Sequence, residues 1–183
     1  MIARSVALVA IGGILWVAFA AGVRAADSHD QHAVPVGLLK AVREATQGFR
    51  DVKVAMSSGY ASVGSCVTGP ERGAMGIHYA NAGLIGDGLL DASAPELLIY
   101  ERRDGRLHFV GVEFLVLADD WNTSHPGGEP PVLMGQHFQF VGTPNRYRLP
   151  AFYELHVWAW RANRFGTFVD WNPDVSCDEY APK

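Results

Sequence analysis

Three histidines and one glutamate stand inside runs of apolar residues, where a polar side chain needs a reason to be. His78 lies in Met75-Gly76-Ile77-His78-Tyr79, His137 in Gly135-Gln136-His137-Phe138, and His156 in Leu155-His156-Val157-Trp158. Glu113 interrupts Phe109-Val110-Gly111-Val112-Glu113-Phe114-Leu115-Val116, the most apolar β-like stretch of the chain outside its N-terminus. A carboxylate buried there without a partner costs several kcal/mol, on the order of 3–5. It therefore requires a proton, a cation or a metal ion. Neutral imidazoles and a carboxylate form a ligand set for a first-row divalent ion, and strands can bring such groups together from distant segments. His78, Glu113, His137 and His156 are thus predicted to hold one divalent transition metal. Zinc, iron, manganese and copper all suit these donors. There is no HExxH-like spacing, so the ligands must meet in space.

Glu154 stands two residues before His156 and shares its strand face. It is predicted to act behind the ligands by orienting His156, with Tyr79 beside His78 in the same supporting role. Each residue also has a plainer reading. A lone histidine in a strand is commonly a hydrogen-bonded core residue, and Glu113 could pair with Arg72, Arg146 or Arg161. His108 and His125 read as surface residues, and Asp87, Asp91, Asp119 and Asp120 as solvated loop charges without calcium-loop spacing. His29 and His32 sit too far from the expected mature terminus for a strong copper motif. Glu113 with Glu154 is a minor option as a glycosidase pair. Gly-x-Ser-x-Gly, GxGxxG and a phosphate loop are all absent.

The elements that must position these groups follow from pattern. Leu39, Val42, Thr46, Phe49, Val52 and Met56 recur at steps of three and four. They predict an amphipathic helix over 36–58, weakened at Gly48 and stopped by Gly59. Beyond it, Gly and Pro punctuate short aromatic or β-branched runs, as in an antiparallel sheet. Strands are predicted at 96–101, 107–117, 132–140 and 152–160, with a shorter one at 75–79. Arg102-Arg103-Asp104-Gly105 forms a hairpin turn, and 119–131 and 142–150 are loops. The fold class is α+β: an N-terminal amphipathic helix packed on a curled antiparallel sheet or small β-barrel.

With 183 residues and 49% apolar content, the chain can bury one substantial core. A net charge of −4 without a dense basic run excludes a nucleic-acid footprint. The N-terminus has a short basic start, an uncharged apolar run from Val6 to Val23, and Val23-Arg24-Ala25. Residues 1–25 read as a cleaved signal peptide, with an uncleaved membrane anchor as the alternative. The rest, 26–183, reads as a single domain without a further membrane span, secreted or periplasmic. An exported chain with only Cys66 and Cys177 is expected to join them in a disulfide.

Several segments resemble a family of small exported bacterial proteins with no established activity. They are Gly73-Ala74-Met75-Gly76-Ile77-His78-Tyr79, Pro95-Glu96-Leu97-Leu98-Ile99-Tyr100-Glu101, Val112-Glu113-Phe114, Leu155-His156-Val157-Trp158 and Trp171-Asn172-Pro173 leading to Cys177. The resemblance spans nearly all of the expected mature chain and includes His78, Glu113, His156 and both cysteines. It implies no catalytic assignment.

The residues therefore suggest an exported metal-binding protein, or a metal-dependent enzyme whose substrate the sequence does not name. The competing class is a non-catalytic binding module. Its pocket of Phe114, Phe138, Trp158 and Trp160 would take a small hydrophobic molecule or an envelope component. A structural envelope protein is a third class.

Overall fold

The structure is a computed structural model that describes residues 36–69 and 71–180. The expected signal peptide and the His29 and His32 segment lie outside the described residues. Among the described residues no helix is long and apolar enough to cross a membrane.

The helical stretch is broken rather than continuous. Helix α1 (Val36–Thr46) passes into a 3-10 turn (Gln47–Arg50), and α2 (Val52–Ser57) starts afresh from Asp51. Asp51 has extended backbone, and its carboxylate accepts the Lys53 N–H, an N-cap that only a new helix needs. The tighter turn changes the helical phase. Leu38, Val42, Thr46 and Ala55 are buried, whereas Met56, on the predicted stripe, is 57% exposed.

The sheet is a curled antiparallel half-barrel of six strands in the order β1-β2-β3-β4-β8-β7. Its members are β1 (Ala61–Gly69), β2 (Gly73–Ala80), β3 (Leu97–Arg103), β4 (Arg106–Leu117), β7 (Gln139–Val141) and β8 (Phe152–Val157). Short helices α3 (Ala82–Ile85) and α4 (Ala118–Ser124) follow β2 and β4. The predicted loop from 119 thus begins as a helix, with Asp119 and Asp120 in its first turn, where the helix dipole favours acids. β3 and β4 are joined through Asp104-Gly105, both at positive φ (52° and 69°), as a two-residue hairpin turn demands.

β1 has no counterpart in the sequence reading. It is an edge strand of small and polar residues, mostly exposed, with two register irregularities against β2. The predicted strand over 132–140 is three pieces. β5 (Val132–Leu133) and β6 (Gln136–His137) form a separate two-stranded ribbon around Met134 and Gly135, both in left-handed conformations, before β7 begins.

Alternation along β4 and β8 gives the sheet two faces. Val112, Phe114, Val116, Leu155 and Val157 join Leu38 and Val42 of α1, Ala55 of α2, and Tyr100 in the main buried cluster. The opposite face carries Leu97, Leu115 and Phe152, and with them Glu113, Glu154 and His156. Cys66 of β1 and Cys177 form the expected disulfide, with Cα atoms 5.7 Å apart. Nearby, Gly73 sits at φ +85°, and a Cβ there would fall 2.1 Å from the Asn172 carbonyl oxygen, so only glycine lets the C-terminal segment bridge to Ala74.

Glu96, just before β3, is 1% exposed, and its Oε2 accepts the Leu115 N–H at 3.0 Å. Burial pushes its pKa up from 4.5 to about 8. The folded chain therefore holds this proton more tightly than the unfolded chain, and the resulting stabilisation is complete below pH 4.5 and lost as pH rises towards 8. Glu96→Gln is expected to stabilise the protein by roughly 2–4 kcal/mol near pH 8 and by almost nothing near pH 4. Urea unfolding at the two pH values checks this; an equal difference at both would rule it out.

Candidate metal centre

The inner face of the half-barrel assembles the candidate site from three strands. Glu113 of β4 lies directly opposite His156 of β8. On its other side it is paired with Leu97 of β3, and Ile99, two residues on and on the same face, pairs with His78 of β2. The curl of the sheet lets His78 reach across β3. Its Nε2 lies 3.3 Å from Glu113 Oε2, and His156 Nε2 lies 3.6 Å from the same oxygen. The two imidazole rings stand nearly perpendicular at 89°, with centroids 6.1 Å apart. All three side chains are 0% exposed. They offer ligand atoms within 4.8 Å of one another.

Around these three are groups that hold them. Tyr147, in the segment between β7 and β8, donates its hydroxyl to Glu113 Oε2 at 3.0 Å. Asp170 Oδ1 faces His156 Nδ1 at 3.6 Å. Glu154, His156 and Asp170 form a second close group of donors. Even so, none of the four imidazole nitrogens of His78 and His156 has a hydrogen-bond partner among the described residues, whereas the Glu113 carboxyl, when protonated, hydrogen-bonds to Glu154. Buried polar atoms are nearly always paired, and two buried imidazoles that each bring an unpaired nitrogen to one carboxylate call for a partner.

The electrostatics set the protonation. Burial lowers His78 from 6.5 to about 3, with the Arg146 charge adding to the effect. His156 is pushed well down by burial, then by His78 and Arg146. Both rings are therefore neutral near pH 7, the form that binds metals. Glu113 is raised well above the usual carboxylate range by burial and by Glu154 beside it. Glu154 and Asp170 are raised too, mainly by burial. Two carboxyls in one dry site disfavour double ionisation unless a cation joins them.

The structure brings together His78, Glu113 and His156 and leaves out His137. That residue is exposed on the β5–β6 ribbon, opposite Val132, because the turn at Met134-Gly135 breaks the strand that would have carried it inward. Tyr79 is a second correction. As the next residue after His78 it points to the other face, where its ring packs against Tyr100 at 5.0 Å. Of the aromatics predicted to line a pocket, Phe114 and Phe138 lie in the main core with Trp160 packed against it and donating to Thr46 Oγ1, and Trp158 packs apart from them with Ala74 and Val110. Arg161 is taken by Glu101, so Arg146 is the arginine whose charge acts on Glu113.

Sequence reasoning missed Tyr147 and Asp170. Asp170 had a faint signal, an acid between Phe168-Val169 and Trp171. Tyr147 had none, since only the path of its loop places it on Glu113. No family model, curated protein or solved structure matches this chain. The site is accordingly read from its own geometry.

Proposed function

We propose that this chain is an exported metalloprotein that holds one divalent transition ion on His78, Glu113 and His156. The reading is supported above all by two fully buried imidazoles without hydrogen-bond partners that bring ligand atoms within 4.8 Å of one another and of Glu113. Two neutral imidazoles and one carboxylate are the donor set of mononuclear sites that keep coordination positions open, whether for zinc or for ferrous iron. Asp170 faces His156 Nδ1 from 3.6 Å, close enough to take up the carboxylate–histidine role behind a ligand ring on a small movement, and the Tyr147 hydroxyl donates to Glu113. An ion so held would supply Lewis acidity to a bound molecule or to water. The disulfide suits an oxidising compartment, in keeping with export.

Elemental analysis of the purified protein after reconstitution with Zn²⁺, Fe²⁺, Mn²⁺ or Cu²⁺ tests the proposal. Close to one ion per chain is expected. His78→Ala and His156→Ala should lose it, whereas His137→Ala should keep it. Asp170→Asn should weaken binding by roughly 10–100-fold without abolishing it. A wild-type protein that retains no ion, or a His137→Ala variant as impaired as His156→Ala, would overturn the assignment.

A further inference from the structure

A cavity of about 1070 Å³ lies against the metal centre and shares a wall with it. Tyr147 and Leu115 form that wall: Tyr147 reaches Glu113 with its hydroxyl, and Leu115 is paired with Glu154. The rest of the lining is largely apolar, including Val63, Val67, Ile85 and Trp171. No acidic residue lines it among the described residues, but Arg146 and Arg148 do. The Arg146 guanidinium is held between the rings of Tyr147 and Trp171, 5.7 and 5.8 Å from their centroids. The ion pairs made by arginines among the described residues involve Arg103, Arg161 and Arg164, not Arg146. A guanidinium beside two aromatic rings and the Met75 sulfur, with no carboxylate in ion-pair contact, in the wall of a largely apolar cavity, suits an anionic head on an apolar body.

We propose that this cavity binds an aliphatic carboxylate, with its chain along Val63, Val67 and Ile85 and its carboxylate at Arg146, next to the ion. The position of the head beside a metal rests on the function proposed above; the binding itself does not. The other pocket of note, lined by Arg50, Arg103, His108 and Arg161, has part of its charge already neutralised by Glu101.

The probe is decanoate, titrated calorimetrically into metal-free and Co²⁺-loaded protein, with decanol and acetate as controls. Decanoate is expected to bind both forms, with decanol and acetate at least tenfold weaker, and to change the Co²⁺ visible spectrum. Arg146→Met should weaken decanoate at least tenfold while leaving decanol as it was. Val67→Trp, on the edge strand away from the ligands, should block decanoate and leave cobalt uptake intact. Equal affinity for decanol and decanoate, or cobalt uptake with no decanoate heat, overturns the cavity assignment and spares the metal site. Decanoate binding without cobalt uptake does the reverse.

Discussion

Adding zinc or cobalt to the metal-free protein, at a free concentration about a thousand times Kd, is expected to raise Tm by ~8–16 °C. An ion that binds only the folded chain contributes about 4 kcal/mol at that excess, and a chain of this length gains ~2–4 °C per kcal/mol. The sign is secure because the folded, metal-free site is costly. Each buried polar atom without a partner forfeits roughly 1–3 kcal/mol, and His78 and His156 each bring such a nitrogen to Glu113. Metal supplies what they lack and is bound through groups that are far apart in an unfolded chain. Differential scanning calorimetry with and without ion measures the shift, and the double variant His78→Ala with His156→Ala is the control. A wild-type shift no larger than that of the variant would remove the metal from the account.

Removing the disulfide is the other large effect. Cys66 and Cys177 are 111 residues apart, and closing so long a loop restricts the unfolded chain by about 4–5 kcal/mol on the chain-entropy model. Cys66→Ala with Cys177→Ala should lower the unfolding free energy by nearly that amount, read from the denaturant midpoint at constant slope. The consequence is also local. β1 is mostly exposed and joins the sheet only through β2, so the bridge to Cys177 is its one covalent tie to the C-terminal segment. Cys66 lines the cavity, so the variant should bind decanoate more weakly as well. An unchanged midpoint would show that the bridge restrains little.

The parts of the fold that were legible in the sequence are those governed by short-range rules. Glu113 stood out as the lone acid in the apolar run of 107–117, the spacing of two put Glu154 and His156 on one face of the strand predicted at 152–160, and Asp104-Gly105 announced its hairpin through the left-handed conformations those residues tolerate. The same period should have excluded Tyr79, since consecutive strand residues face opposite ways. His137 failed for a subtler reason. Met134-Gly135 turns the chain as Asp104-Gly105 does, but methionine does not advertise a positive φ. β1 was invisible because a largely exposed edge strand, with Val63 and Val67 set among Ala, Ser, Gly, Cys and Thr, has no alternation to read. Tyr147 and Asp170 belong to the site through tertiary convergence alone, which no local spacing encodes.

The two rims of the sheet also bear on how the chain behaves in company. A long, flat outer strand invites another molecule to continue the ladder and begin a fibre. Here one rim is only the three residues of β7, and the other, β1, is kinked out of register between Val63 and Thr68. Neither offers a template, so a sheet left unclosed around its cavity remains protected from runaway self-association.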